Sequence, residues 1–427
     1  MNLVVVGLTA VAFAAAGLLI RPAAVRTGVG VWHPGVWWIG LTALFFGIGS
    51  ARLALDGRFG PALYVSGAVL AFGLAIAASD LLARRRSPGA PADPARTDHK
   101  TDSPDLVPIR PWVVTGLAVV GFALIAPTLI RVGLPFLAGD ITGARAELAG
   151  LPVQVLRVTV PALALVLVLG TGRRPDGATA RRRRAAWLAV GLLVAIDIVL
   201  ASRYLVAELL AIVLVGIGLA GWRLRPRRLA ALAIVVVLAF GGIQILRSYD
   251  QAAGRELAFA AERTINRVVL IQPRTLEALQ ATIPAEQPYF GGLTWMRRLG
   301  PVLGRPDIPN LGYWIYPRLF PGQEPPGYAA PGILGEAWAN LGPAGLTLFL
   351  LLGLVAERLG AFIALRHRST VDLVVGALLV VFLARTHALG VNGLAVLVAL
   401  VIVWRALAAG GVADTGRSVR DLLAWRA

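Results

Sequence analysis

Long apolar runs alternate with short arginine-rich breaks along almost the whole chain. The runs lie at about residues 3–20, 32–50, 61–80, 112–135, 151–171, 186–202, 204–221, 229–246, 337–357, 371–386 and 393–408, and most reach the roughly 17–25 residues an α-helix needs to cross a bilayer. This pattern predicts an all-α, polytopic helical membrane protein with about eleven spans. Two polar stretches interrupt it. Ala83 to Arg110 is rich in Pro, Asp and Arg without hydrophobic periodicity, and reads as a disordered loop. The second, 247–333, reads as one large loop. The organisation expected is therefore 1–246 with spans one to eight, the loop 247–333, spans nine to eleven in 334–408, and a tail at 409–427.

The loop ends in a stretch, Asn310 to Gly342, that reads NLGYWIYPRLFPGQEPPGYAAPGILGEAWANLG. Its density of proline and glycine argues against a regular helix or a central strand. Its six aromatic side chains stand among Arg318, Glu324 and Glu336, which predicts a rigid, aromatic, charged segment able to bind a polar substrate. Earlier in the loop, Asp250 to Leu279 has a helical pattern. Arg263, Arg267 and Arg274 recur there at helical spacing on one face. Such a stripe faces either substrate or solvent. Tyr289 to Gly300, YFGGLTWMRRLG, adds a Gly-Gly hinge, aromatics and two arginines.

Composition then fixes the class. Of 427 residues, 57% are hydrophobic, and the mean hydropathy is +0.74. A net charge of +18 in a soluble protein would point to nucleic acid. Here the arginines gather in the breaks after spans one, three, five, seven and nine and in the tail. By the positive-inside rule those segments are cytoplasmic, and the N-terminus and large loop lie outside. No nucleic-acid partner is implied. The expected location is the cytoplasmic membrane, crossed many times. There is no cysteine and only four scattered histidines, and no HExxH, Walker, Gly-x-Ser-x-Gly or dinucleotide motif occurs, so neither a metal site nor a cofactor is expected.

Ionisable residues inside spans mark function by default. Arg131, Arg157, Arg203, Arg247 and Arg385 all fall near the outer ends of different expected spans, with His387 beside the last. Each alone would snorkel to lipid phosphates. Five at one depth predict an anion site, since guanidinium forks match phosphate oxygens. Asp197 and Glu208 flank Arg203, either closing the hairpin as an ion pair or positioning that arginine for a ligand.

Three short motifs carry a family resemblance. They are Ser202–Arg203 between two spans, Pro317–Arg318 with Pro321 in the loop, and Gly335–Glu336 with Asn340 and Gly342 opening the next span. In this order the chain resembles the bacterial O-antigen, or oligosaccharide repeat-unit, polymerases of the Wzy type. Leu341 stands where that family usually has Phe, and the second proline of the loop motif comes one residue early. The resemblance implies a C-type, metal-independent glycosyltransferase. Such an enzyme moves a glycan from undecaprenyl pyrophosphate to the nonreducing end of another lipid-linked repeat unit. Its implied partners are the lipid-linked oligosaccharide, membrane lipids, and flippase and chain-length regulator proteins. On this reading Arg131, Arg157, Arg203, Arg247, Arg267, Arg318 and Arg385, with Tyr316 and Asn340, hold pyrophosphate and glycan. Glu336 or His387 accepts the acceptor hydroxyl's proton. Glu336 has a second reading, as a cap at the start of span nine. A ligase of the same general chemistry, a transporter of lipid-linked anions and a non-catalytic scaffold are the competing classes.

Overall fold

A computed structural model describes residues 1–86, 111–134, 150–171, 177–200, 203–222, 262, 265–299, 305, 307–322, 327–365 and 369–410. It is 86% helix with no strand among the described residues. The helices are α1 (Asn2–Arg26), α2 (Pro34–Leu55), α3 (Gly60–Arg86), α4 (Pro111–Val132), α5 (Leu151–Leu169), α6 (Gly177–Val199) and α7 (Arg203–Leu219), followed by α8 (Ile271–Thr282), α9 (Leu311–Leu319), α10 (Gly332–Leu341), α11 (Leu346–Leu365), α12 (Thr370–Ala384) and α13 (Thr386–Gly410). Among the described residues seven helical stretches are long and apolar enough to cross a membrane, and two shorter apolar helices are Tyr204–Leu219 and Thr370–Ala384. The chain is thus a multi-pass helical membrane protein. The count of eleven is not reached by these criteria. The run at 229–246 lies outside the described residues, and the run at 186–202 continues a helix whose first turns carry four arginines.

The described residues sort into two compact units. The first holds α1–α3, α8–α11 and the junction of α12 and α13. Here α3 is central, packed against α1 and against α11. Both approaches are made at glycine. A Cβ on Gly73 would sit 3.0 Å from the Ala16 Cα, and one on Gly353 would overlap the Phe72 carbonyl oxygen. Small residues let helix backbones come close where lipid supplies no hydrophobic drive between helices. Trp38, Phe46, Phe72 and Phe349 fill the space between, with Trp38 stacked on Phe72 at 4.1 Å.

The two ends of this bundle are tied differently. At one end Asn2 Nδ2 donates to the Leu55 carbonyl at 2.7 Å. At the other, Arg26 binds two carboxylates. Its Nε donates to Asp80 and its Nη2 to Glu357 Oε1 at 2.7 Å. Arg84 Nε adds a bond to Asp80 Oδ2 at 2.8 Å, and Ser79 Oγ donates to Glu357 Oε2 at 3.0 Å.

Two expectations for the large loop change. The segment with the helical pattern is helical where described, and it runs along α2. Its π-helical turn Asn266–Leu270 lies beside the π-helical turn Ala43–Gly47 within α2, and only glycine fits at Gly49 under the Val269 carbonyl. From there α8 climbs to the Asn2 end, where Arg58 Nη1 meets Glu277 Oε2 at 3.1 Å. Secondly, Asn310 to Gly342 is not irregular throughout, because α9 and α10 occupy it. Asn310 caps α9 by accepting from Gly312 N at 3.2 Å. Pro317 falls near the end of that short helix, so little of the hydrogen-bond ladder is lost, and Pro331 stands just before α10, where helices tolerate proline. The span expected to open at 337 starts instead at Gly332. It breaks at Gly342 (φ 59) and resumes as α11. Of the loop expected at 83–110, residues 83–86 belong to α3 and 87–110 lie outside the described residues.

In the second unit α5 lies between α4 and α7. Gly121 admits Thr159, and Gly216 admits Leu165. Arg405 Nη2 pairs with Asp372 Oδ1 at 2.9 Å.

Candidate functional site

Glu336 and Asn340 are one helical turn apart on α10 and therefore share a face. That face meets a break in α13. Gly390 has φ 63 inside the helix, a conformation costly for any residue with a side chain, and a Cβ there would overlap the Glu336 carboxylate. Helix resumes at Val391, leaving backbone N–H groups without an acceptor one turn back. Glu336 Oε2 takes the first of them, accepting from Val391 N at 2.7 Å. A carboxylate at a half-helix N-terminus is favoured by the local dipole. Glu336 thus caps a helix, though not its own. Among the described residues this is the only hydrogen bond to its carboxylate.

Asn340 holds the neighbouring loop. Its Oδ1 accepts from Gly292 N at 3.0 Å and Thr294 N at 3.3 Å, and its Nδ2 donates to Thr294 Oγ1 at 2.6 Å and to the Glu336 carbonyl at 2.8 Å. Two donors and two acceptor sites are the full capacity of an amide. Asn340, expected to hold substrate, thus holds the loop with all of its amide's hydrogen-bonding capacity. Asn392 Nδ2 donates to the Thr294 carbonyl at 2.8 Å, so the loop is also tied to the restart of α13. Phe290 N and Gly291 N donate to the Ala339 and Asn340 carbonyls. Trp338 Nε1 donates to the Ile283 carbonyl at 3.1 Å.

The chain matches no protein-family model, no curated protein and no solved structure.

The other expected site residues are placed as follows. His387 is 3% exposed and lies flat against Phe45, ring centroids 3.9 Å apart, with Nδ1 3.1 Å from the Ala384 carbonyl. That contact assigns the proton to Nδ1. Only glycine fits at Gly332 against the His387 carbonyl, so α10 starts in contact with this buried turn. The imidazole of His387, a candidate proton acceptor, is thus enclosed by protein. Arg318 is exposed on α9. It lies over the Trp314 ring at 4.2 Å and reaches Glu286 Oε2 at 3.3 Å. Tyr316 covers Gly327 and sits 4.8 Å from Phe320.

Of the five arginines expected at one depth, the side chains of Arg131, Arg157 and Arg385 are among the described residues. Arg157 lies in α5, 8% exposed, and is held by Glu208 of α7 through Nε to Oε2 at 2.7 Å and a second bond from Nη2 to Oε1. Gln154 Oε1 accepts from its Nη1 at 2.9 Å. Glu208, expected to pair with or position Arg203, binds Arg157, whose long guanidinium arm bridges two adjacent helices at one level. Asp197 is buried in α6. Arg131 is exposed in the last turn of α4, and Arg385 is buried at the end of α12. Arg203 opens α7 and Arg267 lies in the turn before α8, but their side chains are outside the described residues, as is all of Arg247.

Sequence reasoning missed Gly390, Thr294, Asn392 and the pair Asp80 and Glu357. The signal for the last two was present: acidic residues inside apolar runs, at the ends expected to lie on the same side as Arg26. Among the described residues no three His, Asp or Glu side chains gather as a metal site.

Proposed function

We propose that this protein polymerises undecaprenyl-pyrophosphate-linked oligosaccharide repeat units into surface polysaccharide at the outer face of the cytoplasmic membrane. The observation that supports this most is the Glu336 carboxylate. It is held at the α13 break by one backbone N–H, on the helix that carries Gly335, Glu336 and Asn340 of the family resemblance. A carboxylate with one N–H partner keeps lone pairs for a hydroxyl proton. In the proposed step the acceptor sugar's hydroxyl gives its proton to Glu336, and its oxygen bonds to the anomeric carbon of the donor glycan. The bond from that carbon to the pyrophosphate oxygen breaks, and undecaprenyl pyrophosphate leaves with the electron pair. The resemblance gives Arg203 and Arg318 the part of neutralising the departing charge.

A second reading, a transporter of lipid-linked anions, draws on the broken α13, since interrupted membrane helices commonly bind substrates at their half-helix ends. The test supplies purified lipid-linked repeat unit to the protein in nanodiscs and measures product length. Polymer is the expected product. Arg203→Lys and Arg318→Lys should each lose most of it, because lysine keeps the charge and loses the fork. A single transfer to another acceptor would identify the ligase. Translocation in proteoliposomes with no new glycosidic bond would identify the transporter.

A further inference from the structure

Just before the helix that carries Glu336 stands an aromatic corner that the proposed chemistry does not use. Tyr313 on α9 and Tyr328 meet edge to face, centroids 5.2 Å apart and ring planes at 66°. They are 51% and 50% exposed, yet neither ring hangs free. Tyr328 lies directly on Gly312, where any Cβ would overlap its ring, and Ala329 N donates to the Gly312 carbonyl at 3.1 Å. The backbone carrying Tyr328 is thus stitched to the helix carrying Tyr313. Half of the Tyr328 surface is open. Burial of the rest, then the Glu336 carboxylate and Tyr313, push its phenol up to about 12, and Arg297 opposes them. The two fixed open rings thus have a carboxylate and an exposed guanidinium as electrostatic neighbours.

We infer that the Tyr313–Tyr328 corner is a sugar subsite that takes the neutral pyranose ring of the acceptor glycan and presents its hydroxyl to Glu336. This rests on the polymerase reading and adds to it the place where the acceptor sits. The C–H face of a pyranose ring is weakly positive and matches the negative face of an aromatic ring. Rings already locked lose little freedom when they bind. A few polar groups beside an apolar floor then fix orientation, as in small-molecule sites generally. Exposed tyrosines also line membrane interfaces. The glycine seat, the backbone tie and the two charged neighbours favour a sugar over lipid.

The test uses the full chain in nanodiscs and, as probe, the free oligosaccharide released by mild acid from the producing cell's lipid-linked repeat unit. Binding is followed by saturation-transfer NMR, and turnover of the intact repeat unit is measured on the same preparations. Tyr313→Ala should weaken binding about tenfold, equivalent to roughly 1.4 kcal/mol. Tyr313→Phe, which keeps the ring, and Glu336→Gln should bind as the wild type does. Tyr328→Leu is the second variant if Tyr313→Ala does not fold, with the same loss expected. Equal binding by the alanine variant overturns the subsite, and weaker membrane retention with unchanged sugar binding overturns it in favour of an interfacial anchor. Wild-type protein that makes polymer but binds no free oligosaccharide overturns the subsite alone. Wild-type protein that does neither overturns the polymerase reading as well. Binding without polymer keeps the subsite and removes the polymerase.

Discussion

Glu357 and Glu336 lie on the two halves of one interrupted span and are held in opposite ways. Glu357 is 2% exposed and has two side-chain donors, Arg26 Nη2 at 2.7 Å and Ser79 Oγ at 3.0 Å. The same arginine reaches Asp80, which Arg84 also binds. Glu336 has one backbone donor, Val391 N, at a break that only glycine permits. A carboxylate neutralised by a guanidinium is fixed in its charge and joins helices. One stabilised by a single amide at a half-helix end keeps the capacity to take a proton. Under the proposed function, this difference gives the Arg26 end of the bundle a structural part and the Glu336 region the chemical one.

The comparison breaks most visibly through Arg26. Arg26→Ala leaves two buried carboxylates short of a cation, and removal of one partner from a buried pair costs about 3–5 kcal/mol. The expected outcome is a large fall in thermal stability in detergent and in the amount recovered from membranes. Unchanged stability would show that the network is dispensable. Gly390→Ala sharpens the other side. It places a side chain at φ 63 against the Glu336 carboxylate, with a strain of about 1–3 kcal/mol. The variant should fold with reduced stability and lose turnover, because the carboxylate must leave Val391. Full turnover in a folded Gly390→Ala protein would detach Glu336's position from its function.

What was legible in the sequence follows from range. Apolar length is a local property, so the expected spans that fall on described residues are helices close to where the pattern put them. The spacing of Glu336 and Asn340 placed both on one face for the same reason. Their partners, Val391 and Thr294, lie 55 and 46 residues away, and nothing local names them. The proline-rich stretch misled because proline breaks a helix only by position. Pro317 sits near one helix end and Pro331 just before another. For His387 and Arg157, basicity inside a span does not reveal that a ring or a carboxylate already encloses the group. Arg26 is one of the arginines in the break after span one, and its pairing with Asp80 and Glu357 depends on the packing of α1, α3 and α11.

The most direct test of the central claim is a matched pair, Glu336→Gln and Glu357→Gln, measured side by side for thermal stability and for polymer formed from purified lipid-linked repeat unit. Glutamine keeps an oxygen acceptor for Val391 N, so Glu336→Gln should change stability by less than about 1 kcal/mol. It should lower turnover by about 10²-fold or more, the contribution of a general base. Glu357→Gln should do the reverse, destabilising the protein while the fraction that stays folded turns over normally. Normal turnover in Glu336→Gln, or its disappearance from the membrane while Glu357→Gln remains stable, would contradict the account.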